Sequence, residues 1–158
     1  MKTLVLGLGN PILTDDGVGI HVVRQASMLW DANGVTFSEA CVGGLRLLDF
    51  LAGYDRVVLV DAIVTPDGQP GDISCLGLRE LQASLHSGCT HDLSLSGALA
   101  LGRGLGMPLP DDEQIVIVAV EAGDVLTFGE DCTPPVQAAI PPAVHLVLEQ
   151  ITAGEGRH

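Results

Sequence analysis

Acidic and imidazole side chains interrupt a largely apolar sequence at three places. Asp16 stands in the segment Thr14-Asp15-Asp16-Gly17, Asp61 closes an aliphatic run, and His91 lies in a short polar stretch. Two carboxylates and one imidazole can bind a divalent transition metal while leaving coordination positions open. A carboxylate can also take a proton from water during hydrolysis. If the fold brings the three residues together, they form a candidate metal-recognition and hydrolytic site.

Each of these residues also has a structural explanation. A Thr or Asp at positions 14 to 16 can cap a helix, Asp61 can cap a turn, and His91 can be a solvated or capping loop residue. By residue type, His86 and Cys89 are as plausible as ligands as His91. The remaining histidines have a weaker case because none adjoins a predicted strand end: His21, His145 and His158.

The glycines before Asp16 invite comparison with a nucleotide-binding loop. Gly7-Leu8-Gly9-Asn10 follows a predicted strand, but Ile12 occupies the position of the third glycine in the G-x-G-x-x-G pattern. Asp15 and Asp16 would also repel a phosphate at the start of the next helix. Dinucleotide binding is therefore disfavoured. The chain has neither a G-x-S-x-G elbow nor an H-E-x-x-H pair, so a serine hydrolase and a zincin are not indicated either.

Short aliphatic runs alternate with helical patterns along the chain. Residues 2–8, 56–62 and 114–120 are predicted to be central strands, and residues 34–40 and 71–76 are predicted to be further strands. Helices are predicted after Asp16, around residues 45–51, over 92–105 and after Thr133-Pro134. This alternation predicts an α/β fold, a three-layer α/β/α sandwich around a roughly five-stranded, mostly parallel twisted sheet. Ligands of such sheets gather beyond the carboxyl ends of the strands.

The length and the final helix set the expected domain limits. A chain of 158 residues with 47% apolar residues can bury one substantial core, so we expect a single domain over residues 1–152. Thr133 can cap the final helix and Pro134 suits its first turn, whereas Pro141-Pro142 should kink or divide it. Residues 153–158 are expected to form a short polar tail.

Composition restricts the classes of partner. Seven basic residues against twenty acidic ones give a net charge of −13, which disfavours nucleic acid and anionic membrane surfaces. A metal cation or a neutral or basic peptide fits this charge better, although acidity also serves solubility. The four cysteines include no C-x-x-C pair, and neither a signal segment nor an apolar run long enough to span a membrane is present. We therefore expect a soluble, cytoplasmic protein.

Four segments resemble the hydrogenase maturation protease family, the enzymes that process nickel-iron hydrogenases. They lie in the family's order along nearly the whole chain: residues 4–19 (LVLGLGN…LTDDGVG), residues 47–63, Thr90-His91-Asp92-Leu93, and residues 133–141. The first is the most specific. The resemblance implies an endopeptidase that removes the C-terminal extension of a nickel-iron hydrogenase large-subunit precursor after nickel insertion. No organic cofactor is implied.

The family's nickel-contacting residues map onto Asp16, Asp61 and His91, which the resemblance makes both the metal-binding and the catalytic set. The nickel-loaded precursor is the implied partner, and the nickel it carries is the implied recognition signal. Relatives can have Glu at the first position, so Asp16 has a shorter reach. The family's D-G-G-T-x-G segment is replaced here by Glu39-Ala40-Cys41-Val42-Gly43-Gly44, in which Glu39 is a candidate for a supporting role.

Two other functions remain as alternatives. Peptidyl-tRNA hydrolase also begins with a G-L-G-N-P run, but it should carry a histidine and an asparagine after it and present a basic face to tRNA. A non-catalytic nickel-binding escort protein could use the same three side chains. Direct, tight binding of free nickel without cleavage would distinguish the escort protein from the protease.

Overall fold

A computed structural model describes residues 1–80 and 95–155, and it contains a five-stranded sheet. The strands lie in the order β2-β1-β3-β5-β4, with β4 antiparallel to β5 and the other pairs parallel. The predicted α/β fold and mostly parallel sheet are thus confirmed. Each strand begins within two residues of its predicted start: β1 Thr3–Leu8, β2 Val35–Ala40, β3 Arg56–Ile63, β4 Ile73–Gly77 and β5 Ile115–Glu121.

Four helices that lie wholly within the described residues cover this sheet, and short 3-10 turns connect several of the elements. The helices are α1 Val18–Leu29, α2 Leu48–Leu51, α3 Leu95–Gly104 and α4 Pro134–Glu155. The 3-10 turns are Thr14–Gly17, Gly44–Leu47 and Asp112–Gln114. The predicted helix over 92–105 corresponds to α3, whose first three predicted residues lie outside the described part of the chain.

Two apolar clusters lie on opposite faces of the sheet. Alternate residues of β3 show the division, because Val58 and Val60 pack with α1 and α4 whereas Val57 and Leu59 pack with α2 and α3. Every residue of β1 and β3 is buried, as expected of central parallel strands that are covered on both faces. The three-layer arrangement follows from this double burial.

The final helix corrects one expectation. Pro134 lies in its first turn as predicted, but Pro141 and Pro142 do not divide it, and α4 is continuous. Both prolines face solvent, and the carbonyl groups left without a helical N–H belong to exposed Gln137 and Ala138, where water can bind them. The apolar face of α4 remains packed in the core both before and after the two prolines.

The end of α4 lies beyond residue 152, where a polar tail was expected to begin. Gly154 is buried against Arg56, so closely that a Cβ at this glycine would overlap the arginine side chain. Arg56 is 1% exposed and donates from Nη2 to the backbone oxygen of Gln150 at 3.3 Å. A cation near the carboxyl end of a helix interacts favourably with its dipole, so this contact stabilises the last turns of α4.

The chain order of the strands creates a crevice between β1 and β3. From β1 the chain passes to β2 on one side, whereas β3, β5 and β4 lie on the other side, so the order reverses at this pair. The β1–β3 pairing ends at Gly7 and Val60, while β3 stays paired with β5 through Asp61 and beyond. Ligands of open α/β sheets bind at such a switch point. Within the described residues, no helix is both long and apolar enough to cross a membrane.

Candidate active site

Asp16 lies just beyond the carboxyl end of β1, in the 3-10 turn Thr14–Gly17. The chain reverses here at Gly9, which has a φ of 136° and lies so close to the backbone oxygen of Asp16 that a Cβ would overlap it. The Asp16 side chain is buried, and its Oδ2 accepts a hydrogen bond of 2.9 Å from the backbone N–H of Asn10. The turn therefore fixes the carboxylate from its own side.

Asp61 is the first residue of β3 beyond the end of the β1 pairing. It pairs with Ala119 of β5 and is 5% exposed, and its Oδ1 accepts a hydrogen bond of 2.8 Å from the backbone N–H of Ala62. Because side chains alternate along a strand, Asp61 belongs to the face of Leu59 and Ile63, which is covered by α2 and α3. Asp61 thus lies beside the switch point, although β3 continues for two residues beyond it.

The structure brings Asp16 and Asp61 to the same end of the sheet. The turn that carries Asp16 contacts β3, and α1 continues from it across the ends of both strands. Gly19 makes this approach possible, because a Cβ there would overlap the backbone oxygen of Val60 and lie 2.8 Å from that of Leu8. The space beside Gly19 is thus filled by this chain's own sheet.

His91 lies outside the described residues, as do the alternative ligands His86 and Cys89. The described chain resumes at Leu95 with α3, on the sheet face to which Asp61 belongs. Residues 1–80 and 95–155 contain no group of three or more His, Cys, Asp or Glu side chains that could hold a metal ion. Of the predicted ligand set, the structure therefore places the two carboxylates.

Asp15 departs from its expected role as a helix cap. The turn Thr14–Gly17 has no side-chain cap, and the buried Asp15 carboxylate instead accepts four hydrogen bonds from the segment that joins β5 to α4. Its donors are the backbone N–H groups of Gly123, Asp124 and Thr133, at 2.8, 2.9 and 2.7 Å, and the Thr133 hydroxyl at 2.8 Å. Asp15 thus fastens the residue before Asp16 to a second loop.

Thr14 supports the same connection and carries backbone strain. It is the only described non-glycine residue with a positive φ, 54°, a conformation that costs about 1–3 kcal/mol. Its N–H donates to the Gly129 oxygen at 2.9 Å and its hydroxyl donates to the Thr127 oxygen. The strained turn is held by these contacts with residues 127–129, so the β5–α4 loop positions Asp16 indirectly.

Glu121 is a buried acid that the sequence analysis did not single out. It closes the apolar strand β5 as Asp61 interrupts β3, so the same pattern of an acid after an aliphatic run could have found it. Its carboxylate is 4% exposed and accepts hydrogen bonds from the Thr65 backbone N–H at 2.6 Å and from the Thr65 hydroxyl at 3.1 Å. A Cβ at Gly68 would overlap this carboxylate, so Glu121 serves to fix the turn after β3.

Glu39 has a different environment from the one proposed for it. Its two carboxylate oxygens accept hydrogen bonds from Arg24 Nε and Nη2 at 2.7 and 2.9 Å, and its side chain is 39% exposed. This bidentate pair raises the pKa of Arg24 through the hydrogen bond to Glu39. Glu39 thus links β2 to α1 on the surface. His145, one of the weaker candidates, is likewise exposed and lies 2.9 Å from Glu149.

The described cysteines, Cys41, Cys75 and Cys132, are free thiols. Cys132 is buried between Asp15 and the start of α4, and its Sγ lies 3.8 Å from the Thr14 backbone oxygen. Burial, together with the negative charges of Asp15 and Asp131, raises the pKa of the Cys132 thiol to about 11. At neutral pH this group is a protonated thiol, which is a poor nucleophile and a poor metal ligand.

Comparison with known proteins agrees with this fold and identifies the family. The family described as HycI, hydrogenase maturation protease, matches residues 20–150. The hydrogenase 2 maturation protease of Escherichia coli K12 is 33% identical over 152 residues, which cover 94% of this chain and 89% of that protein. The hydrogenase expression/formation protein HupD of Bradyrhizobium diazoefficiens is 27% identical, with coverage of 94% and 77%.

A solved structure extends the similarity to three dimensions. The hydrogenase maturating endopeptidase HybD from E. coli superimposes with a TM-score of 0.83 at 29% sequence identity, covering 98% of this chain and 94% of that one. The family match covers more than half of the chain, and the E. coli relative exceeds 30% identity over nearly all of it. The chain therefore belongs to the hydrogenase maturation protease family, a family of endopeptidases.

Proposed function

We propose that this protein removes the C-terminal extension of a nickel-iron hydrogenase large-subunit precursor once nickel has been inserted, and that Asp16, Asp61 and His91 recognise that nickel. The observation that carries the proposal is the burial of two carboxylates, Asp16 and Asp61, at one switch point of the sheet. Carboxylate oxygens are ligands of divalent metals, so two carboxylates held at one place can bind a cation together. The nickel belongs to the substrate, so no resident metal is required.

The chemistry is hydrolysis of one peptide bond. Water attacks the scissile carbonyl carbon, the C–N bond breaks, and the proton lost by water reaches the leaving amine. Asp16 or Asp61 can carry that proton as a general base and then as a general acid. The substrate's nickel can instead polarise the carbonyl and stabilise the developing negative charge. In either route the two carboxylates bring the nickel-bearing end of the precursor to the crevice.

Recognition of a bound ion explains the order of assembly. A precursor without nickel lacks the group that the carboxylates and the imidazole bind, so it is discriminated against without any further contact. The acidic chain, with a net charge of −13, also attracts a cation-bearing substrate. We place this reaction in the cytoplasm, because the free thiols of Cys41, Cys75 and Cys132 fit a reducing compartment.

The test compares nickel-loaded with nickel-free precursor in the presence of the purified protein, with the precursor mass as readout. We expect only the nickel-loaded form to be shortened. Shortening of neither form, or of both at the same rate, would contradict the proposal.

Variants of the carboxylates test the site assignment. We expect Asp16→Asn and Asp61→Asn each to slow trimming by about a hundredfold or more, since removing a group that acts in the transition state has effects of this size. Asp16→Glu should keep substantial activity because it keeps the carboxylate. Asp31→Asn, at an exposed position beyond the far end of α1, is the matched control and should be normal. Normal trimming by both Asn variants would show that the site is elsewhere.

A further inference from the structure

Three large apolar side chains are exposed beside the candidate active site. Ile12, Leu126 and Phe128, here called the apolar patch, are 48, 85 and 80% exposed. The protein has only three phenylalanines and few aromatic residues of any kind, so leaving one of them in water is notable. Contiguous exposed apolar residues of this kind mark surfaces that bind a partner.

The patch lies on an ordered loop and not on a frayed tip. Asp124 Oδ1 accepts hydrogen bonds of 3.0 Å from the backbone N–H groups of Leu126 and Thr127. The hydrogen bond with the Thr127 side chain, and then these two backbone bonds, lower the pKa of the Asp124 carboxyl. The Gly129 N–H donates to the Ile12 oxygen at 2.9 Å, and Leu13 pairs with Gly129 in a parallel bridge. A partner would therefore meet a preorganised surface and lose less conformational entropy on binding.

The patch is contiguous with the site. In the parallel bridge, Ile12 and Phe128 immediately precede the paired residues, so they project from neighbouring backbone positions. The same strand of chain continues through Thr14 to Asp16 within four residues. The patch therefore belongs to the same turn and loop that hold Asp16.

Charge indicates what kind of segment fits. Glu130 and Asp131 are exposed at the end of the loop. The sequence contains no Lys or Arg between Arg103 and Arg157, and none between Lys2 and Arg24, so neither segment of the patch supplies a positive charge. The complementary partner presents apolar side chains to the patch and basic side chains to Glu130 and Asp131, here called the acidic rim.

We propose that the apolar patch docks a segment of the hydrogenase precursor that carries apolar and basic side chains and lies next to the cleavage site. This inference rests on the proposed function, and it adds a second, nickel-independent contact between enzyme and precursor. Aromatic residues at the centre of an interface contribute a large share of its binding energy. Phe128 and Leu126 accordingly contribute affinity for the precursor, while the carboxylates recognise its nickel.

The test separates binding from chemistry with the double variant Leu126→Ser/Phe128→Ser. In trimming assays with nickel-loaded precursor, we expect its KM to rise by about tenfold or more while kcat stays within about twofold of the wild-type value. Binding of nickel-free precursor, which is not turned over, should weaken by a similar factor. Met28→Ser is the matched control, because Met28 is 84% exposed at the other end of α1 and its replacement should change neither value.

The outcomes distinguish this inference from the proposed function. An unchanged KM and unchanged binding in the double variant would overturn the docking surface while nickel-dependent trimming stood. A fall in kcat at constant KM would also overturn it, since the loop would then serve only to position Asp16. A third outcome is that the wild-type protein binds the precursor without trimming it and the double variant binds it less well. That result would support the docking surface and contradict the proposed cleavage.

A second double variant tests the contribution of the acidic rim. Glu130→Lys/Asp131→Lys should lower kcat/KM and reduce its dependence on salt, whereas the exposed control Asp31→Lys should leave both near the wild-type values. A double rim variant that binds precursor as well as, or better than, the wild type would show that the docked segment is not basic.

Discussion

At the scale of single residues, neighbouring acids in this chain have separate tasks. Asp15 and Asp16 are adjacent and both buried, yet Asp15 accepts four hydrogen bonds from the β5–α4 loop while Asp16 lies at the crevice end of β1. The one-residue offset matters because successive residues of a tight turn point in different directions. Asp15 is best described as a positioning residue that acts on Asp16 through the backbone.

Asp15→Asn should destabilise the protein by about 2–4 kcal/mol. The amide NH2 cannot accept hydrogen bonds, so at least one of the four donors would be left buried and unpaired, and charge-assisted bonds are among the stronger ones. Urea denaturation measures the effect, with Asp31→Asn as the exposed control. A loss below about 0.5 kcal/mol would mean that the donors find other partners.

Cys132 gives the stability a pH dependence with a definite sign. Its folded-state pKa is raised from the ordinary thiol value of 9.0 to about 11. Between these two pH values the folded protein keeps the thiol proton, whereas the unfolded chain loses it. The unfolding free energy should therefore decrease as pH rises from about 9 to about 11, by about 1–2 kcal/mol after allowance for solvent screening.

Denaturation at pH 8 and at pH 10.5 checks this, with Cys132→Ala as the comparison that removes the contribution of this thiol. In the folded protein at pH 8, iodoacetamide should modify exposed Cys41 well before Cys132. Equal pH dependence in the variant and the wild type, or rapid alkylation of Cys132, would contradict a buried Cys132 thiol with a raised pKa.

At the scale of elements, the site depends on how closely α1 and its preceding turn approach the sheet. The approach is set by glycines without room for a side chain: Gly9 against the Asp16 backbone, Gly17 against Pro11, and Gly19 against Val60 and Leu8. Of the three, Gly9 belongs to the run that resembles a nucleotide-binding loop in the sequence. In the structure all three allow close packing that keeps Asp16 near β3.

Gly19→Ala tests this packing. The added methyl group must push α1 away from β3, which we expect to cost about 1–3 kcal/mol and to reduce trimming because Asp16 shifts relative to Asp61. Gly104→Ala is the matched control, since a Cβ at this helix position meets nothing within 4 Å and should be neutral or slightly stabilising. Equal stability and activity of the two variants would refute the packing argument.

At the scale of the whole molecule, the fold gathers residues from distant parts of the sequence at one end of the sheet. The turn after β1, the end of β3 and the β5–α4 loop meet there, although they are more than a hundred residues apart at the extremes. The same end presents the carboxylates and the apolar patch. The net negative charge of the chain favours a substrate that carries a cation. The apolar patch offers that substrate an apolar contact.

Much of this architecture could be read from the sequence, because local patterns reflect local physics. Aliphatic runs located the three central strands, and shorter patterns located the other two. An acid at the carboxyl end of a strand was one of two explanations for Asp61, and the structure has it buried two residues before the end of β3. The resemblance to hydrogenase maturation proteases is confirmed by the family match. The nickel-binding role of Asp16, Asp61 and His91 stays a prediction.

Other features depended on contacts between segments far apart in the chain, which no local pattern encodes. Asp15 is a residue type that often caps helices, but its hydrogen-bond partners lie over a hundred residues away. The Pro141-Pro142 pair is tolerated because the apolar face of α4 is packed. The exposure of Phe128 became visible only with the loop in place. The sequence by itself thus determined the strands, the acids and the family, since these follow from periodicity and residue type. Only the tertiary structure decided which acid supports the turn and which faces the crevice, because that depends on long-range hydrogen bonding and burial.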